Sequence, residues 1–442
     1  MIINRQLPIF NFQSKTFSPE EYLLVLAARI EMDCSDAAGM EGVLKEALDW
    51  RVVKASAHRL GVEPLLYKHL SQEKYAHYVP DDVIDFLKRS YRKQAIRNLR
   101  IYSQISRILN SMNQADIPII LLKGAFLAKW VYGDIALRPM SDIDILCRKK
   151  DAETVKKRLI ELGYYQETTY NSPLHEKIAA EKSKHMPPFS KNRATRIEVH
   201  IDILGKKTPG VSEEMTRLWE TAIQVDLNGL RAYSLSPEYQ ALYLSVHLFQ
   251  HVMSGSAVLY WFCDIHEVVR KYGDKIDWKD FWDRAGSLGF GAQICSVFEL
   301  LRSQWNGSFP EMDKYRQGEE INKLSLETIV SAGSKARKAK NILPAHMDNL
   351  KIVRDTEGWK GCLYYLWRTI FPTRTNLVCR YHPGNSSLLF LYYIIHPFKL
   401  GKRASLSLFY NLYSFFERRK KAFKKVFSAL VFGVFWVFGP FL

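Results

Sequence analysis

Asp142-Ile143-Asp144-Ile145 alternates carboxylates with branched apolar residues at a period of two. An extended strand satisfies that period, because successive side chains of a strand point to opposite faces. Asp142 and Asp144 then share one face while Ile143 and Ile145 enter the core behind them. Two like charges held this close repel, so the pair needs a shared proton or a cation that prefers oxygen ligands. Taken alone, the tripeptide also fits a solvated strand end or the cap of a following helix.

The flanking sequence narrows the choice. Ile117 to Leu122 reads as a short buried strand, and Lys123-Gly124 opens an amphipathic segment from Ala125 to about Tyr132. A glycine at such a junction lets backbone approach a ligand, and free helix N–H groups there favour phosphate, with Lys123 adding a point charge. The plain alternative is a turn glycine beside solvated cations. Tyr132-Gly133-Asp134 ends the helix, and Arg138 lies between that turn and a second strand, Ser141 to Cys147. Some fifty residues later, Arg196 to Leu204 alternates polar and apolar residues, the pattern of a half-buried strand. Glu198, His200 and Asp202 share its polar face. A carboxylate from this strand beside Asp142 and Asp144 would complete the set that two-metal phosphoryl or nucleotidyl transfer uses.

Together these pieces resemble a known group. Leu121-Leu122-Lys123-Gly124, Arg138, Ser141-Asp142-Ile143-Asp144 and Glu198-Val199-His200 are similar to the uncharacterised nucleotidyltransferase family of the DNA polymerase beta-like superfamily. The likeness extends to a helical lead-in, His58 to Tyr67, and a helical continuation, His247 to Asp264, covering roughly residues 20 to 310. It implies an α+β fold, a small mixed sheet flanked by N-terminal and C-terminal helical regions. It also implies that Asp142 and Asp144 hold divalent ions, Mg²⁺ or Mn²⁺, with Glu198 as third carboxylate, and that Lys123, Gly124, Arg138, Ser141 and His200 surround a nucleoside triphosphate. Many members of the wider superfamily carry Gly-Gly or Gly-Ser at the first strand-helix turn; Lys123-Gly124 is the form of this particular family. Asp202, on the same predicted face, rivals Glu198.

Helical periodicity dominates the rest of the ordered chain. Glu20 to Arg29 and Val83 to Met112 are the clearest runs before the sheet, and Ser236-Pro237-Glu238 starts a helix through Met253. His247 and His251 lie one turn apart on it, but no Glu follows His247 as a zinc hydrolase motif requires, so packing is their simpler role. Trp261 to Tyr272 and a segment from Asp277-Trp278 continue the helical region, where Trp261 and Asp264 suit packing and capping or contact with a base or acceptor. The expected divisions are a helical subdomain over 1–114, a catalytic core over 115–235, a helical domain over 236–375 and a basic, apolar tail over 376–442.

That tail carries much of the formal charge of +17: between residues 401 and 425 eight Lys or Arg face one Glu. The following run, 426–442, is uncharged and 17 residues long; as a helix it would extend about 26 Å, short of a hydrocarbon core of about 30 Å. It could span a thin bilayer, enter one leaflet or pack within protein, and the basic block before it suits an anionic membrane surface. Residues 1–12 lack a signal peptide's apolar stretch, which places the catalytic region in the cytoplasm, peripheral to or tail-anchored at the inner face of a membrane. Six scattered cysteines without a Cys-x-x-Cys pair argue against a zinc ribbon or a disulfide framework. A basic stretch from Lys88 to Arg107 fits a solvated face or the phosphates of an RNA acceptor.

The function expected is therefore metal-dependent transfer of a nucleoside monophosphate from a triphosphate to a hydroxyl of a small molecule, carbohydrate, peptide or protein. Two alternatives belong to other classes. A glycosyltransferase that binds a sugar nucleotide through Asp-x-Asp would need a nucleotide-binding α/β region upstream, where the periodicity is helical. A catalytically silent, membrane-associated scaffold would have little use for intact Asp142, Asp144 and Glu198.

Overall fold

The computed structural model describes residues 17–167, 170–205, 210–305, 309–310, 342–381 and 390–400. The chain forms two compact units, one of residues 1–167 and 182–335, the other of residues 168–181 and 336–442. The helical lead-in, the sheet and the helices that follow it belong to the first unit.

Among the described residues six helices precede the sheet: α1 (Pro19–Ala27), α2 (Cys34–Leu44), α3 (Trp50–Leu60), α4 (Glu63–Leu70), α5 (Glu73–Ala76) and α6 (Asp81–Gln114). Among the described residues no strand precedes Ile120, and residues 19–114 are helical where a sugar-nucleotide site would need an α/β region. Ser18 caps α1 with a reciprocal Glu21 bond, and Asp33 with Asp36 does the same for α2, which satisfies free N–H groups of each first turn.

The strands and the helices between them follow in chain order: β1 (Ile120–Leu121), α7 (Gly124–Trp130), β2 (Ile143–Leu146), α8 (Ala152–Glu161), β3 (Tyr165–Gln166), α9 (Pro173–Lys182), β4 (Phe189–Ser190), β5 (Ile197–His200), α10 (Val211–Glu220), β6 (Ile223–Leu227) and β7 (Leu230–Ser234). The strand order is β3-β4-β5-β2-β1-β7-β6, with β2–β5 and β1–β7 parallel and the remaining pairs antiparallel. This is the expected mixed sheet, with shorter strands. The third strand stops at His200, although the alternation runs on to Leu204, because the Asp202 side chain accepts the N–H groups of Leu204 at 2.7 Å and Gly205 at 3.1 Å and turns the chain. The β6–β7 hairpin was not anticipated. Its turn is Asn228-Gly229 with φ of 55° and 82°, the backbone that two-residue hairpins favour.

Among the described residues of this unit four helices follow the sheet: α11 (Pro237–Met253), α12 (Leu259–Tyr272), α13 (Trp278–Ser287) and α14 (Gly291–Trp305). Their starts are where the sequence puts them, with Ser236 accepting from Tyr239 N and Asp277 from Asp280 N. One buried apolar cluster joins α1, α6, the sheet and α11–α14, and Ile143, Ile145, Ile197 and Val199 lie in it, on the far side of their strands from the acids.

The second unit contains α9, α15 (Ile342–Ile370), α16 (Arg374–Tyr381) and a helical segment over 390–400. Gly358, with φ 65° and ψ −167°, breaks α15 into two helices. Its small core gathers Ile178, Val353 and Tyr365, with the His175 ring stacked on Tyr365 at 4.1 Å. The tail over 401–442 and most of 306–341 lie outside the described residues. No helix among the described residues is long and apolar enough to cross a membrane.

Candidate active site

Parallel pairing of β2 with β5 sets Asp144 directly opposite Glu198, with Leu146 opposite His200. The period of two then brings Asp144, Glu198 and His200 to one face, and their ligand atoms all lie within 4.8 Å of one another. Asp144 is buried, Glu198 half-buried and His200 buried. Asp142 precedes β2 and is half-buried; Ser141 Oγ donates to its Oδ1 at 3.1 Å. Burial pushes the Asp142 carboxyl above its ordinary value, and the charges of Asp144 and Glu198 push the same way.

Asp144 behaves in the opposite sense. Burial alone would raise it, but the Lys123 ammonium, 3.0 Å from Oδ1, and the His200 imidazole, 2.9 Å from the same oxygen, hold it far below the usual carboxylate range. Both contacts use Oδ1, so Oδ2 stands outside them. Lys123 is kept charged although burial opposes it, because Asp144 outweighs the lost hydration. Its backbone sits at φ 46° and ψ −128°, a region that suits glycine and costs another residue on the order of 1–3 kcal/mol. From that backbone conformation its side chain reaches Asp144.

Packing alone requires glycine at position 124. A Cβ there would meet Arg138 Nη1 at 2.3 Å and Met140 Cγ at 2.6 Å, so protein side chains fill the space. Arg138 is itself buried, and its partner is Asp264, a carboxylate outside the donor group. Nη2 and Nε bind Asp264 of α12 at 2.8 and 3.2 Å, Nη1 donates to Pro139 O at 2.8 Å, and the guanidinium lies 4.9 Å from the Tyr260 ring centre. Tyr132 Oη also donates to Asp264, at 2.8 Å. Asp264 therefore ties α12 to the 132–140 loop. Helix α6 clamps the same loop, Asn98 donating to Ile135 O and to Arg138 O, while Tyr102 donates to Ala125 O at 3.2 Å.

The structure adds two residues from α11 to this site. Tyr243 is buried, and its hydroxyl is pushed up by burial against the pull of Lys123. One turn on, burial holds His247 well below its ordinary value, with Lys123 and His251 reinforcing the effect. The His247 ring also packs 4.4 Å from His251 and 5.2 Å from Trp261. Only the i, i+4 histidines hinted at this in the sequence; a tyrosine on an apolar helix looks like any core aromatic.

The profile of an uncharacterised nucleotidyltransferase family matches residues 46–306. The chain belongs to that family. Two solved structures of nucleotidyltransferase name are similar to it at low identity. The antibiotic-resistance factor ANT(2'')-Ia matches at 9% identity and a TM-score of 0.31, over 47% of this chain and 95% of that one. An antigenic nucleotidyltransferase-like protein from Paracoccidioides brasiliensis matches at 12% identity and a TM-score of 0.26, over 49% of this chain and 91% of that one. No curated protein matches. Family membership supports nucleotidyl transfer as the reaction class and divalent metal as its usual helper. The two carboxylates and the imidazole of Asp144, Glu198 and His200 form a donor set that fits such an ion. His200 Nδ1, buried without a hydrogen-bond partner, marks the same place as polar capacity still to be used.

Proposed function

We propose that this chain transfers a nucleoside monophosphate from a nucleoside triphosphate to a hydroxyl acceptor, with release of pyrophosphate and dependence on Mg²⁺ or Mn²⁺. The register that sets Asp144 beside Glu198, with His200 on the same face, carries the proposal. Those three residues would hold a divalent ion, and Asp142 beside them would help hold a second. Bound there, the metal supplies positive charge against the triphosphate and lowers the pKa of the acceptor hydroxyl.

The remaining work falls to the chain. Lys123 keeps Asp144 ionised, so this acid remains a ligand and does not take up the acceptor's proton. As the acceptor oxygen bonds to the α-phosphorus and the bond to pyrophosphate breaks, Glu198, less buried than Asp144, would either ligate the ion or receive the acceptor's proton. Tyr243 and His247 wall the site with low-polarity surface, where charge interactions strengthen. Arg138, Gly124 and Ser141 contribute mainly by fixing the loop that leads into Asp142. Acceptors of the small-molecule, carbohydrate, peptide or protein kind are all compatible with this machinery.

The test is incubation of the protein with each labelled nucleoside triphosphate, Mg²⁺ or Mn²⁺, and a cell extract as acceptor source. Label transfer with pyrophosphate release that disappears in Asp144→Asn and Glu198→Gln is the expected result. Absence of both triphosphate binding and transfer with either metal would overturn the proposal.

A further inference from the structure

The second half of α15 buries one face and exposes another that is apolar. Tyr365 and Thr369 point into the unit, where Tyr365 Oη accepts from Asn349 at 2.8 Å and Thr369 Oγ1 lies 3.0 Å from His175 Nε2. On the outward side, Trp359 (67% exposed), Leu363, Leu366, Trp367 (57% exposed) and Ile370 recur at helical spacing and form one stripe. Lys360 and Arg368 border it, the first against the Trp359 ring at 5.8 Å and the second against Tyr364 at 5.5 Å. The helical segment over 390–400 repeats the design: His396 is buried, its Nε2 3.2 Å from Thr369 O, while Phe390, Ile394 and Phe398 (75% exposed) face outward. Across residues 358–416 the sequence has no Asp or Glu and seven Lys or Arg.

An exposed apolar stripe containing two tryptophans costs stability in water and marks an interaction surface. Its chemistry selects the partner. Tryptophan favours the boundary between headgroups and acyl chains, aliphatic side chains enter the acyl region, and bordering Lys and Arg meet anionic headgroups. The helix after Gly358 has twelve residues and so a length of about 18 Å, which suits lying in the interface rather than crossing it. We propose that the outward faces of 359–370 and 390–400 seat the second unit on an anionic lipid surface. This places membrane contact on residues upstream of the 401–442 tail and is independent of the reaction proposed above.

The test floats the full-length protein with vesicles of phosphatidylcholine alone or with added phosphatidylglycerol. The combined variant Trp359→Gln, Leu363→Gln, Trp367→Gln and Ile370→Gln, and separately Ile394→Gln with Phe398→Gln, are compared after circular dichroism shows each folded. The wild type is expected to float with the anionic vesicles, and each variant to lose at least about tenfold in vesicle affinity. Either folded variant floating as the wild type does would overturn the proposal, because binding would then lie elsewhere, as in the tail. It would equally be overturned by a wild type that ignores vesicles, or by a lipid-free dimer that the first variant turns monomeric, since a second copy would then own the stripe.

Discussion

Lys123 reaches Asp144 from a backbone conformation that lysine disfavours: Nζ lies 3.0 Å from Oδ1 while φ stands at 46°. Charge pairing and backbone strain are therefore located in one residue, and substitution can separate them. Lys123→Ala removes the ammonium and keeps the strained Cβ; Lys123→Gly removes both. Urea denaturation should find both variants less stable than the wild type, alanine by about 3 kcal/mol, and glycine better than alanine by about 1 kcal/mol. Alanine equal to or above glycine would show that the turn is not strained.

Asp202 and Glu198 are distinguished by what their oxygens already do. Asp202 Oδ1 accepts two backbone N–H groups, whereas Glu198 sits beside Asp144 in the compact donor group. Glu198→Gln should lower kcat/KM by about a thousandfold, and Asp202→Asn, which keeps the acceptor oxygen, by no more than a few-fold. Asp202→Ala should instead cost about 1–2 kcal/mol of stability. A reversal of the two kinetic effects would make Asp202 the third carboxylate.

Gly124→Ala tests the packing reading of that glycine. The new methyl would overlap Arg138 Nη1 and Met140 Cγ, and the guanidinium is fixed by Asp264. A loss of about 3 kcal/mol is expected, seen as a melting temperature lower by roughly 6 °C or more. Gly133→Ala provides the contrast, since Gly133 has φ +74° with nothing within 4 Å of the added Cβ; its cost should stay near 1 kcal/mol. Similar losses in both would mean that space around Gly124 is not the constraint.

Stability should also fall in mild acid through His69. This imidazole is buried, with Nε2 2.7 Å from Arg29 O, and burial pushes its pKa down to about 4 from an ordinary 6.5. At neutral pH it is uncharged in folded and unfolded chains alike. As pH drops through 6.5 the unfolded chain binds a proton that the folded one refuses, and the gap closes only near pH 4. The wild type should lose roughly 3 kcal/mol across that window from this group. His69→Gln should flatten the slope of unfolding free energy against pH, and an unchanged slope would refute the assignment.

Local chemistry made part of this legible in advance. Alternation at Ile143 to Ile145 and at Ile197 to His200 identified which side chains share a face, and Ser236 and Asp277 announced their helices, because these effects act within a few residues. The opposition of Asp144 to Glu198 depends on pairing between distant segments, which periodicity cannot show. Asp202 was misplaced on the strand because an alternating pattern carries no mark of a side chain that bonds its own backbone. The packing of Gly124 against Arg138 was not legible, because Arg138 is held there by Asp264 from a helix more than a hundred residues away. Asn228-Gly229 was readable by its backbone preference alone and stood unused.

The connection between the two carboxylate strands has a consequence for synthesis. After β2 the chain contributes residues 168–181 to the second unit before returning to β5, yet the groups that enclose His175 and Ile178 come from residues beyond 340. On a ribosome, Asp144 and Glu198 can meet once β5 has emerged, while α9 must wait for a far later stretch of chain to bury it. The order of emergence thus leaves α9, part of the connection between the two carboxylate strands, without its packing partners until Val353 and Tyr365 have been made.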